Sequence, residues 1–410
     1  MNLQHLFAQR IGGTAFGQTG EIYKFEKIKR AKAAARAAHP EREMLDFGVG
    51  EPDRMAPRTI RSALKKAVDK PENRGYADNG IPLFREAAAR YLRGFFGVED
   101  IDQAREINHT IGSKSALSLL PLAFVDPGDE VLLTVPGYPV LGTHAKYLGG
   151  SVVPVPLTAR NRFLPDLARL EKRDLSRVKL FYVNYPNNPT GAVYSEKDIK
   201  EFGDIAAEFD IPLISDEIYD KIVFDGKFHS ASKLKPDVPR IILNGFSKVN
   251  LMPGWRMGYC YFMDESGLMD EIRQGMMKQF RARICPNVPC QAAARASLQG
   301  PQDYIVEMNK KLKDRADFTN KRLNEIPLLS TRRAKGALYM FPHIDLKGTP
   351  WKNDKDFVVD LIKNEGVVLV HGSGFCEEFG VDHFRTILLA PPETLTEAYD
   401  KIEKFIQRRI

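Results

Sequence analysis

An α/β fold, with a mostly parallel central sheet covered by helices on both faces, is predicted by three observations in this 410-residue sequence. Short β-rich runs recur at 130–135, 151–155, 178–183, 211–214, 240–243 and 259–262, and helical stretches lie between most of them. The runs are largely apolar rather than alternating, as in strands buried on both faces. A hydrophobic content of 43% with 28% charged residues is that of an ordinary globular chain large enough for buried cores.

In chain order, residues 21–38 read as an Ala-rich helix with Phe25, Ile28 and Ala31 at helical spacing and a basic opposite face. Glu21 and Glu26 dilute that charge, which favours a solvated face on a helix packed against the body over a membrane-surface segment. Residues 57–68 and 82–92 read as helices, the second with Pro82 in the first turn, where no backbone donor is lost. Beyond Pro289 the pattern changes to a long charged helix near 304–324, then strand-like 337–341, 367–370 and 384–389 with helices between and after. The expected organisation is an amino-terminal arm and part of a small domain over 1–55, a large domain over 56–300 and a small carboxyl-terminal domain over 301–410. No repeat or low-complexity linker separates them, so tight docking is expected.

Several function classes are excluded or disfavoured. The 60 Lys and Arg against 53 Asp and Glu leave a net charge of +7, thin beside the clustered basic faces of nucleic-acid binders. No window approaches the roughly 18–20 apolar residues of a spanning helix. Residues 1–20 hold four glycines and no signal-like apolar core. Cys260, Cys285, Cys290 and Cys376 are too few for a disulfide framework and lack zinc-ligand spacing. A cytoplasmic protein without a metal site is expected.

The most informative stretch is Asn244-Gly-Phe-Ser-Lys248, followed by Met252-Pro-Gly-Trp-Arg256-Met-Gly258. A lysine just after a strand and a small-residue turn lies at the strand's carboxyl end, facing the crevice where such sheets bind ligands. Desolvation there lowers a lysine's pKa and lets its amine form a Schiff base with an aldehyde. Arg256 offers a planar fork to a phosphate. Asp216, in Ile214-Ser-Asp-Glu-Ile-Tyr219, ends a buried strand, where a lone carboxylate is costly. Ile111-Gly-Ser-Lys114 precedes a helix expected to begin near Ala116, so its backbone donors and Ser113 form an anion site. Alone, each has a plainer reading: a solvated lysine, a capping aspartate, a simple turn. Asp46-Phe-Gly48-Val-Gly50-Glu-Pro-Asp53 looks superficially like a dinucleotide loop, but it lacks the third glycine and the later acidic residue.

Ser247-Lys248 with Gly254-Trp-Arg256-Met-Gly258 resembles the signature of the fold-type I, class I/II aminotransferases that use pyridoxal 5′-phosphate, and the resemblance runs through the whole chain. It implies that Lys248 carries the cofactor and shuttles the proton. It further implies that Asp216 partners the pyridinium nitrogen, that Tyr219 and Asn188 (in Asn187-Asn-Pro-Thr-Gly191) bond the 3-oxygen, and that Tyr138 (in Pro136-Gly-Tyr-Pro) stacks on the ring. Gly112, Ser113, Lys114, Ser247 and Arg256 form the phosphate cup, and Tyr76 resembles the tyrosine that reaches the neighbouring subunit's phosphate in a homodimer with shared sites. Gly48, Asn188, Tyr138 and Arg385 (in His383-Phe-Arg-Thr-Ile-Leu) face the substrate, Arg385 as the bidentate grip on its α-carboxylate. Gly245 stands where many relatives place a phosphate-binding serine, and Arg281 and Arg283 are candidates for a second substrate arginine.

The amino-terminal half (Gly48-Val-Gly-Glu-Pro-Asp, Gly75-Tyr-Ala-Asp-Asn-Gly, Gly112-Ser-Lys) resembles LL-diaminopimelate aminotransferases; the carboxyl half (Asp216-Glu-Ile-Tyr-Asp-Lys-Ile, Cys285-Pro-Asn-Val-Pro, Gly336-Ala-Leu-Tyr-Met-Phe-Pro) resembles alanine aminotransferases. The expectation is transfer of an α-amino group to 2-oxoglutarate from an L-amino acid, leaning to LL-diaminopimelate in lysine biosynthesis. Alanine or aspartate transamination is the alternative, with a β-lyase or a condensing synthase as remoter readings.

Overall fold

Apolar runs bounded by turns become the central sheet, whose seven strands are β1 (Ile107–Thr110), β2 (Glu130–Val135), β3 (Ser151–Pro156), β4 (Val178–Asn184), β5 (Leu213–Asp216), β6 (Arg240–Gly245) and β7 (Gly258–Met263). The computed structural model describes residues 4–15, 24–99, 101–170, 173–235, 237–263, 267 and 269–410. The strand order is β1-β7-β6-β5-β4-β2-β3; β7 runs antiparallel to both neighbours, and the pairs from β6 to β3 are parallel. Leu180, Phe181, Tyr182 and Val183 of β4 are all buried, as a strand covered on both faces requires.

β1 is absent from the sequence-based expectation because Ile107-Asn-His-Thr110 has no apolar run. Tertiary partners make its burial affordable. Asn79 donates through Nδ2 to Asn108 Oδ1 at 3.0 Å and its own Oδ1 meets His109 Nδ1 at 3.0 Å, so both buried polar side chains are satisfied.

The expected helices are found at Arg58–Val68, Pro82–Tyr91 and Asp303–Asn324. The basic helix spans Lys24–Ala38 with Ile28, Ala31 and Ala35 buried, so it packs on the body. Residues 21–23, and the side chains of 24–27 that include the expected core residue Phe25, lie outside the described residues. In the carboxyl-terminal part, Tyr339–Met340 and Val370–His371 flank Phe384–Ile387 antiparallel, in a three-stranded sheet. Leu45–Asp46 joins this region by pairing in parallel with Val367–Val368.

This topology gathers the candidate site residues along one edge of the sheet. The carboxyl ends of β1, β2, β4, β5 and β6 lead to Gly112, Tyr138, Asn188, Asp216 and Lys248. Because β7 is antiparallel, its start lies at that same edge: Gly258 pairs with both Gly245 and Thr110, which brings the preceding Arg256 there too.

Candidate active site

At the β1 end, the helix Ser113–Phe124 begins earlier than the expected Ala116, with Gly112 as its cap. Gly112 has φ +70°, and a Cβ there would lie 2.5 Å from Arg256 Nη2. Only glycine therefore admits both the turn and the guanidinium beside it. Arg256 is itself held by Pro253 O at 2.8 Å and Ile111 O at 3.3 Å. A helix N-terminus, with its free backbone donors, and a guanidinium thus face the same spot, an arrangement that suits a phosphate. Gly245, the departure from the family's serine, has a packing reason: a Cβ there would lie 2.8 Å from Ile218 Cδ1.

Asp216 closes β5 fully buried. Its Oδ2 accepts from the Tyr182 hydroxyl at 3.1 Å, while Oδ1 is buried without a hydrogen-bond partner among the described residues. Burial raises its carboxyl to about 7, against the opposing pull of the Tyr182 and Ile218 hydrogen bonds. Glu217, the next residue, points the other way. It accepts from Ser215 at 3.0 Å, Ser230 at 2.7 Å and the Ala231 N–H at 2.8 Å, so it belongs to the scaffold. Tyr138 is half-buried and packs against the core cluster that contains Tyr182 and Ile214.

Arg385 and Asn188, 197 positions apart, are in direct contact: Arg385 Nη1 donates to Asn188 Oδ1 at 2.9 Å. Arg385 Nη2 donates to Gly48 O, and its guanidinium lies over the rings of Tyr339 at 4.4 Å and Phe375 at 5.2 Å. Since a guanidinium only donates, Asn188 must turn its oxygen to Arg385 and its amide NH₂ away from it. Lys248, half-buried, donates to Gly50 O. Gly48 and Gly50 therefore cap the site through their carbonyls. A Cβ on Gly50 would lie 2.1 Å from the Tyr339 hydroxyl, so the segment passes that close only as glycine.

Four placements differ from the rest. Tyr76 is 85% exposed and lies apart from this constellation, beside Ala77, whose N–H donates to Cys285 Sγ at 3.2 Å. Arg281 pairs with Asp78 at 2.8 Å, whereas Arg283 and Lys114 both act on His144, whose pKa is held down by burial and then by those two charges. A cavity of about 870 Å³ between Phe96, Gly203, Phe228 and Leu234 contains none of these residues. The sequence reading gave two residues no role: Tyr182, which has no motif, and Tyr339, which lies in the 336–342 stretch and whose hydroxyl meets that of Tyr219 at 2.8 Å. A tyrosine at an inward-facing strand position is an ordinary core residue until its partner is known.

Comparison with known proteins agrees with the geometry. The family model described as aminotransferase class I and II matches residues 42–402. The chain belongs to this family. It is 41% identical to the LL-diaminopimelate aminotransferase of Methanocaldococcus jannaschii over 88% of this chain and 86% of that protein. It is 45% identical to that of Methanococcus maripaludis over 63% of this chain and 62% of that protein. Among solved structures, alanine aminotransferase from Pyrococcus furiosus superposes with a TM-score of 0.89 at 40% identity, covering 95% of this chain and 98% of that one.

This class I and II aminotransferase is thus a pyridoxal-phosphate enzyme of fold type I. Its residues fit the cofactor. The partnerless Oδ1 of Asp216 suits a protonated ring nitrogen, and the Gly112–Arg256 cup suits a phosphate.

Proposed function

We propose that this aminotransferase moves an amino group between LL-diaminopimelate and 2-oxoglutarate, with cofactor and substrate held by the residues that line the crevice. When bound, pyridoxal phosphate supplies an electron sink for the α-carbon and carries the amino group between the two substrates. Gly112, Ser113, Ser247 and Arg256 would hold its phosphate, Tyr138 its ring face, and Asn188 and Tyr219 its 3-oxygen. Asp216 keeps a proton on the ring nitrogen through Oδ1. Arg385, fixed by Asn188 and Gly48, grips the α-carboxylate and thereby aims the Cα–H bond at Lys248, whose amine takes and returns the proton.

The observation that carries the substrate assignment is the 41% identity, over 88% of this chain, to an LL-diaminopimelate aminotransferase. The LL-diaminopimelate aminotransferases among the relatives support the same substrate, and the alanine aminotransferase fold neighbour supports the second reading. We also propose a homodimer in which exposed Tyr76 reaches the partner's phosphate, the domain division 1–55, 56–300 and 301–410, and a cytoplasmic location, in keeping with four cysteines that form no disulfide.

The test is to assay the purified enzyme with glutamate as amino donor against tetrahydrodipicolinate and pyruvate. Turnover with tetrahydrodipicolinate is expected; turnover with pyruvate alone would establish the alanine reading instead. Lys248→Ala should lose both turnover and the visible absorbance of the bound cofactor, and retained transamination in that variant would remove Lys248 from its role.

A further inference from the structure

Tyr339 touches three of the site residues at once, and the stretch that contains it assigned it no role. It is 2% exposed. Its hydroxyl sits 2.8 Å from that of Tyr219, its ring lies 4.4 Å from the Arg385 guanidinium carbon, and its hydroxyl lies where a side chain on Gly50 would have to go. The strand register explains this. Tyr339 pairs with Ile387, two residues from Arg385 on the same strand face, so clamp and ring are neighbours by construction.

Two phenols share one hydrogen between them, and its direction matters. If Tyr219 donated to Tyr339, the Tyr219 oxygen would have no hydrogen left for the cofactor. If Tyr339 donates, the Tyr219 hydroxyl keeps its own hydrogen for the site. Arg385 helps to decide the direction: a cation over the ring draws electron density from it and makes the Tyr339 hydroxyl the better donor. A hydrogen bond accepted by Tyr219 in turn strengthens the one it gives. Resting on the proposed function, we infer that Tyr339 is a positioning residue that couples the carboxylate clamp to the cofactor-facing phenol: its ring steadies Arg385 and its hydroxyl orients Tyr219.

The experiment is a pH titration of the bound cofactor's visible absorbance in wild type, Tyr339→Phe, Tyr219→Phe and the double variant, with kcat and KM measured beside it. Donation from Tyr219 stabilises negative charge on the 3-oxygen, so weakening it lets the bound cofactor hold its proton to higher pH. Tyr339→Phe should raise the midpoint by about 0.5 unit, Tyr219→Phe by more, and the double variant should match Tyr219→Phe. Tyr339→Leu, which removes the ring as well, should also raise KM for the amino acid roughly tenfold. If Tyr219→Phe moves the midpoint and Tyr339→Phe does not, or if the two shifts add, the coupling is overturned while the site assignment stands. If Tyr219→Phe itself leaves the midpoint unmoved, the cofactor-facing role of Tyr219 falls and the coupling with it. A wild-type KM in Tyr339→Leu would overturn the role of the ring.

Discussion

Replacing Asp216 with Asn should stabilise the cofactor-free protein, and most of all at high pH, while destroying its activity. Burial raises the Asp216 carboxyl from the ordinary 3.8 to about 7. An acid whose folded pKa lies above its unfolded value holds its proton longer when folded. Stability therefore falls as pH rises between those two values and stays reduced above the upper one. At about 1.4 kcal/mol per unit, the penalty is roughly 4 kcal/mol at pH 8 and roughly 1.5 kcal/mol at pH 5. D216N carries no ionisable group there, and its amide oxygen can still accept the Tyr182 hydrogen bond at Oδ2's position. Glu217, also raised by burial to about 8, is present in both proteins and cancels in the difference. Urea unfolding of the two cofactor-free proteins should thus show a D216N advantage that grows by roughly 2.5 kcal/mol from pH 5 to pH 8. Adding pyridoxal phosphate should shrink that advantage, because only the carboxylate gains a charged partner at Oδ1. An advantage of the same size at both pH values would refute the claim that desolvation of Asp216 sets it.

Three further outcomes follow from the site geometry. Arg385→Lys keeps the charge but loses the fork that spans Asn188 and Gly48, so kcat/KM for amino acids should fall roughly 10- to 100-fold, mostly through KM; unchanged kinetics would remove Arg385 from the clamp. Gly50→Ala places a Cβ 2.1 Å from the Tyr339 hydroxyl and should displace the segment over the site. The expected result is a lower kcat/KM with cofactor affinity retained, and normal kinetics would show that the segment yields freely. Lys114→Ala removes a charge from the first turn of the helix that begins at Ser113 and should weaken pyridoxal-phosphate affinity roughly tenfold; unchanged affinity would remove Lys114 from the phosphate cup.

Much of this site was legible in contiguous stretches. Lys248 and Arg256 share one motif, the connection from β6 to β7, and Asp216 and Tyr219 share another at the end of β5, so in each pair chain order and spatial order coincide. The polar strand β1 was not legible, since its burial depends on Asn79, which lies 30 positions before His109. The start of the helix at Ser113 was misjudged because its cap is Gly112, whose signal is a backbone angle rather than a side chain.

The sequence by itself determined the α/β class, the family and the cofactor, because local hydrophobic patterning and short motifs carry that information. Only the tertiary structure decided that Asn188 braces Arg385, that Asp216 is capped on one oxygen by Tyr182, that Gly50 rests against Tyr339 and that Tyr339 meets Tyr219 across 120 positions. Those contacts join strands and loops far apart in the chain, and which side chains meet there is set by sheet order and register, which depend on the packing of the whole chain.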